Sequence, residues 1–251
     1  TMKKTGKRLL AAMLLFCTIL IGAAGYEVMA ADEAQSTEST SGTVNSADDL
    51  PGKRIGVQLG TTGDTLVSDY ETDGSNTTVE RFNKGNDAIQ ALKQGKIDCV
   101  VIDEQPAIKF VEQNTGIRIL DEEFTLEDYA FVVAKSNTEL LDKVNSALEK
   151  LEADGTIADI QKNYIGTEDE IGKFPYESKD VSHENGTLTV GTNAEFPPYE
   201  SYEDGQIVGI DMDIMRAVSD ELGMELKIED MAFDSIIPAI STGKVDIGAA
   251  G

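Results

Sequence analysis

The sequence predicts an α/β protein of two lobes, each lobe a mostly parallel sheet flanked by helices. Three observations predict it. Short β-branched runs alternate with helical patterns that stop at glycine. One such unit occurs twice, as AIQALKQGKID at 88–98 and IIPAISTGKVD at 236–246, an offset of 148 residues. Each copy is preceded by a strand ending in Gly-Thr, at Gly60-Thr61 and Gly191-Thr192. Two βαβ-like units argue for two parallel sheets. Sites in such sheets lie at strand C-terminal ends beside helix N-termini, so both Gly-Thr turns are expected at one shared cleft. The other reading of the repeat is one sheet with a recurring helix stop.

The elements follow in order. Residues 1–30 read as a secretory signal peptide: Lys3, Lys4, Lys7 and Arg8, an apolar run Leu9–Tyr26, and Val28-Met29-Ala30 as a small-residue cleavage site. Residues 31–45 are small, polar and acidic, a flexible tether. Arg54–Leu59 alternates as a strand into the Gly60-Thr61-Thr62-Gly63 turn. Asn86–Gln94 is a helix stopped by Gly95, and Ile97–Ile102 a buried strand. Pro106–Asn114 is helical and Tyr129–Ala134 a strand. Ser136-Asn137-Thr138-Glu139 has the form of a capping box, with Leu140, Leu141, Val144, Leu148 and Leu151 at helical spacing behind it. A short helix carries Ile157 and Ile160, and 167–186 is an irregular acidic linker. Strands at Leu188–Val190, Leu226–Ile228 and Val245–Ala249 and helices at Ile210–Leu222 and Ser235–Thr242 complete the chain.

Composition narrows the function classes. The formal charge is −25, and the leader alone is basic. That argues against binding a phosphate backbone or an anionic membrane, which needs Lys/Arg clusters. The two cysteines, Cys17 and Cys99, leave one thiol after the leader and no disulfide framework. One histidine, His183, sits in the linker, with no Ser/His/Asp or Cys/His grouping and no CxxC or HxxxH spacing. No catalytic residue, metal site or cofactor is expected, and the reading is not an enzyme.

The stretches LTVGTNAEFPPYES (188–201), VGIDMDIMRAVSDELG (208–223), MAFDSIIPAISTGKVDIGAAG (231–251), SADDLPGKRIGVQLGTTGD (46–64), AIQALKQGKIDCVVIDEQPA (88–107) and LLDKVNSALEKLEADGTIADIQKNYIG (140–166) resemble the extracellular solute-binding proteins of polar amino-acid ABC importers. The order differs from the family's, in which the 188–201 segment usually comes first and the 140–166 segment last. The resemblance therefore implies a circularly permuted, incomplete copy of a periplasmic-binding-protein-like fold. Residues 46–130 would form lobe 2, without its first hinge strand. Residues 131–166 would supply the C-terminal helices of lobe 1, 167–186 a linker, and 187–251 the N-terminal half of lobe 1. Family members continue past the equivalent of Gly251 with a carboxylate-clamping arginine and a hinge strand.

The resemblance also implies the function: capture of a free polar or basic amino acid outside the membrane, and delivery to an ABC permease. An amino acid needs a fixed anion for its ammonium and donors for its carboxylate. Asp103, at the end of the buried strand, is the implied ammonium partner; it also stands where a helix N-cap would. Thr61 and Thr62 offer donors to the carboxylate, or form an ordinary capping turn. Phe196, Phe233 and Tyr199 resemble the aromatics that hold a ligand side chain, where core packing is the alternative. Ala250 and Gly251 would offer a backbone carbonyl. Gln58, Asn193 and Glu195 are the candidate side-chain selectors, Glu195 pointing to a basic or polar ligand. A weakly binding fragment of a tandem protein and the sensing domain of a receptor are the alternatives. The sheet edge left by the absent strand is a candidate for self-association.

Overall fold

The computed structural model describes residues 15–17, 23–31, 43–122 and 124–251. The start of the expected leader and most of the expected tether lie outside the described residues. The chain forms two sheets, each packed by helices. They meet where it passes from residue 128 to residue 131.

Lobe 2 is built on the strands β2 (Ala23–Ala31), β3 (Arg54–Gln58), β4 (Thr78–Phe82), β5 (Cys99–Asp103), β6 (Ile117–Ile119) and β7 (Thr125–Asp128). β1 (Leu15–Cys17) precedes them and belongs to the other sheet. The lobe 2 order is β4-β3-β5-β2-β6, with β7 also on β2. β3 runs parallel to both β4 and β5, while β2 is antiparallel to β5, β6 and β7. Helices α1 (Thr62–Ser68), α2 (Gly85–Lys93) and α3 (Glu104–Gln113) follow β3, β4 and β5. All five residues of β5 are buried. A strand covered on both faces is expected to read as a continuous apolar run, and CVVI does. β5 is paired on both sides, by β3 and by β2.

Lobe 1 holds β8 (Phe131–Val133), α4 (Thr138–Ala153), α5 (Thr156–Ile165), β9 (Thr187–Thr192), the hairpin β10 (Ser201–Glu203) and β11 (Gln206–Val208), α6 (Ile210–Leu222), β12 (Glu225–Asp230), α7 (Phe233–Ser241) and β13 (Ile247–Gly248). Its sheet runs β1-β8-β13-β9-β12. β9 pairs parallel with β12 and β13; β8 is antiparallel to β13 and to β1. The apolar faces of α4, α5 and α6 close over it, with Leu148, Leu151, Ile160, Ile210, Met212 and Ile214 fully buried.

The sequence repeat has a structural cause. Asp98 takes the Arg54 backbone N–H at 2.8 Å, and Asp246 takes that of Thr189 at 2.8 Å. In return the Asp98 and Asp246 N–H groups donate to the Arg54 and Thr189 carbonyls, each at 2.8 Å. Each Gly-Lys-Ile/Val-Asp turn thus pins the incoming strand to its parallel neighbour, β3 in one lobe and β9 in the other.

Two local expectations change. The cap of α4 is Asn137, whose side chain accepts the Leu140 N–H at 3.2 Å; Ser136 does not cap, and Glu139 pairs instead with Lys143. The Asn137 side chain, one residue later, reaches the third N–H of the helix directly. The strands of the Ser201–Val208 hairpin, β4, β6 and β7 are too short, at three to five residues, for alternation to mark them in the sequence.

Candidate functional site

The candidate residues come from strand ends. Gln58 ends β3, Asp103 ends β5, Asn193 follows β9, and Ala250 and Gly251 follow β13. The two lobes bring these ends together. Gln58 Nε2 donates to Asn193 Oδ1 across the lobes at 2.7 Å, and both residues are buried. Gln58 also donates to the Asn83 carbonyl at 3.2 Å, and Asn193 Nδ2 to that of Met231 at 2.8 Å. The lobes come equally close at Gly60, where a Cβ would stand 3.5 Å from Asp234 Cβ and 3.9 Å from the Phe233 ring.

Asp103 is 2% exposed and occupies the N-cap position of α3, yet its side chain makes no cap bond. It accepts instead a short hydrogen bond from the Tyr129 hydroxyl. Tyr129 lies in the stretch joining the two lobes, and its ring meets Tyr199 edge-on at 4.9 Å. Phe196 also stacks with Tyr199, ring centres 6.3 Å apart. Burial first, then the Asp103 charge, pushes the Tyr199 phenol well above its ordinary value. Asp103, Tyr129, Tyr199 and Phe196 therefore form one continuous wall.

Beneath this wall lie two more carboxyls that the sequence reading had not singled out. Glu200 is fully buried and Asp211, in the first turn of α6, nearly so. Burial, then the neighbouring Asp211, holds Glu200 well above the usual carboxylate range; burial pushes Asp211 up to about 7 despite its hydrogen bond with Glu200. Two carboxyls this close share a proton rather than both ionise. The Gly251 N–H donates to Glu200 Oε1 at 3.2 Å and Oε2 at 3.3 Å. Gly251 also lies flat on the Tyr199 ring, where a Cβ would fall 2.7 Å from Cγ. Gly209 sets up this corner with φ of 135°, since a side chain there would strike the Tyr199 carbonyl oxygen at 2.1 Å. Only Asp211 carries a hint in the sequence, set between Ile210 and Met212; Glu200, followed by Ser201, carries none.

The remaining candidates divide. Thr61 caps α1, accepting the Asp64 N–H at 3.3 Å and donating to the Gln58 carbonyl at 2.8 Å, so its hydroxyl is engaged. Thr62 opens the helix, where N–H groups have no partner within the helix. Phe233 opens α7 and is half-buried, and both it and Ala250 pack against the small core of Ile236, Ala239, Ile240 and Val245. Glu195 is not in the buried wall. Its carboxylate pairs with Lys84 of the opposite lobe at 2.6 Å, both about two-fifths exposed. It lines an outward groove of about 770 Å³ with Lys109, Phe110, Tyr164 and Pro198. Cys99 opens β5 and is buried, and burial pushes its thiol up to about 12, so it is an unreactive core residue. Among the described residues no cluster of His, Cys, Asp and Glu stands ready to hold a metal ion. No helix among them is long and apolar enough to cross a membrane.

Comparison with known proteins bears on this geometry. Residues 74–167 and 188–251 match the model of the bacterial extracellular solute-binding proteins, family 3. An arginine-binding protein of Corynebacterium glutamicum is 42% identical over 69 residues, covering 27% of this chain and 23% of that protein. An L-cystine-binding protein of Escherichia coli is 27% identical over 137 residues, covering 54% and 50%. The chain thus spans half or less of the length of these relatives. Among solved structures, an ancestral arginine-binding protein bound to arginine superposes with a TM-score of 0.53 and 34% identity, over 61% of this chain and 65% of that one.

Proposed function

Because the chain belongs to the bacterial extracellular solute-binding proteins of family 3, we propose that it captures a free cationic amino acid, arginine foremost, in the cleft between its lobes. It acts outside the membrane and delivers the ligand to the permease of an ABC importer. The observation that carries this reading is Asp103, buried at a strand end where the lobes meet and continuous with the aromatic wall of Tyr129, Tyr199 and Phe196. A buried carboxylate is a partner for the ligand ammonium, and aromatic faces favour a flat guanidinium over an anionic side chain. The arginine-binding relatives support the same class, and the cystine-binding relative supports a polar ligand more broadly.

The test is thermal shift against the twenty amino acids and cystine, followed by calorimetry on those that stabilise. Arginine at 100 times its dissociation constant should add about 2.7 kcal/mol of stability, and glutamate none. A flat melting temperature across the whole set removes the reading.

A further inference from the structure

Asp103 holds the N-cap position of α3. An aspartate there ordinarily turns its carboxylate back onto the N–H of the second or third helical residue. Asp103 makes no such bond. The third helical residue is Pro106, which has no N–H to give, so Gln105 alone of that pair can claim the carboxylate. The carboxylate turns instead to the Tyr129 hydroxyl.

Tyr129 is placed to hold it. It lies in the two-residue connection between β7, which ends at Asp128, and β8, which begins at Phe131. Its hydroxyl donates to Asp103 Oδ1, and its ring meets that of Tyr199 with centres 4.9 Å and planes 63° apart. One side chain on the connection between the lobes therefore touches the end of β5 in lobe 2 and a ring of lobe 1. Tyr199 is itself fixed in place. It is buried, Gly251 lies against its ring, and Gly209 lies against its carbonyl. A phenol has one hydrogen to donate, so a ring held by Tyr199 also fixes the side from which Asp103 is gripped. A hydrogen bond to an ionised acceptor is stronger than a neutral one, and a buried carboxylate needs it.

We propose that Tyr129 is a positioning residue for the ligand: its hydroxyl holds the Asp103 carboxylate toward the ligand ammonium and away from the helix, and Tyr199 of the opposite lobe sets the ring that does so. This rests on the reading of Asp103 as the ammonium partner. Asp103 supplies the charge, while Tyr129 supplies its direction and ties that direction to the way the lobes meet. Orienting the carboxylate before the ligand arrives removes an ordering cost from binding.

The experiment is calorimetry with arginine on the full chain, unchanged, as Tyr129→Phe, as Asp103→Ala, and with both substitutions together. Chemical-shift titration replaces calorimetry where binding is weak. Phenylalanine keeps the ring against Tyr199 and removes only the hydroxyl. Loss of a hydrogen bond to a charged group should weaken arginine binding at least ~10-fold in Tyr129→Phe. In the Asp103→Ala background the same substitution should cost less than ~2-fold, because the effect passes through the carboxylate. The ligand-free melting temperature should stay within a few degrees in Tyr129→Phe. Unchanged affinity in Tyr129→Phe overturns the proposal. Tighter binding also overturns it, since the hydroxyl would then compete with the ligand ammonium. An equal loss in both backgrounds overturns it as well and assigns Tyr129 to packing between the lobes. If the unchanged chain binds none of the twenty amino acids nor cystine, the reading of Asp103 falls first, and the role of Tyr129 falls with it.

Discussion

At the scale of the residue, two kinds of buried carboxyl carry opposite expectations. On the proposed role of Asp103 as partner of the ligand ammonium, Asp103→Asn should weaken arginine binding by about 2–5 kcal/mol, the cost of leaving one member of a desolvated pair alone. Melting temperature without ligand should hold within a few degrees, and calorimetry reads the difference. Glu200 and Asp211 act on the fold instead. Asp211 folds with its affinity for protons raised to about 7, and Glu200 is raised as well. The folded state therefore binds more protons than the unfolded one, whose carboxyls titrate near 4. That contribution is fully present below about pH 4 and is lost as pH rises through 7. Stability should fall between pH 5 and pH 8, a window above the range where exposed carboxylates such as Glu71 and Glu139 titrate, both of them held below their ordinary values. Changing Glu200 to Gln and Asp211 to Asn together should flatten the profile. A slope unchanged in that double variant would assign the dependence elsewhere. Asp103 was readable because it ends an unmistakable buried strand. The Glu200–Asp211 pair was not, because nothing in a linear sequence says that two carboxylates eleven residues apart face one another.

At the scale of the element, periodicity located the long units and missed the short ones. The Ile210–Leu222 helix and its Gly223 stop stand in the structure as the sequence predicts them. β6, with three residues, and β7, with four, offer too few positions for alternation to register. The Gly-Lys-Ile/Val-Asp repeat was legible as a pattern, but its cause needed the hydrogen bonds of Asp98 and Asp246. Both aspartates do the same work, so Asp98→Ala and Asp246→Ala should each destabilise by about 1–3 kcal/mol, the cost of leaving a strand N–H without its acceptor. The loss should be larger at Asp98, which also holds the Arg54 guanidinium at 2.8 Å. Urea unfolding measures both. Ligand affinity should not change, because neither aspartate reaches the cleft end of its sheet.

At the scale of the whole molecule, what the sequence could not supply is how the lobes hold each other, since no local pattern encodes a contact between residues more than a hundred positions apart. Among the described residues, two polar contacts between the lobes differ in kind. Lys84–Glu195 is an ion pair at 2.6 Å with both side chains about two-fifths exposed. Exposed pairs contribute about 0.2–1 kcal/mol and are screened by salt. Gln58–Asn193 is a neutral bond at 2.7 Å between buried side chains. Breaking it in the closed form strands a buried amide, a cost of about 1–3 kcal/mol, whereas in an open form water satisfies both groups. The neutral contact should therefore dominate closure although the charged one is shorter. In the ligand-free chain, with one fluorophore on each lobe, Gln58→Ala should shift the open–closed equilibrium by roughly 5–150-fold toward open. Lys84→Ala should shift it by no more than about 5-fold, and 0.5 M salt should erase that smaller effect while leaving the larger one. If the ranking came out reversed, or if salt abolished the Gln58 effect, the rim charges would be what holds the lobes together.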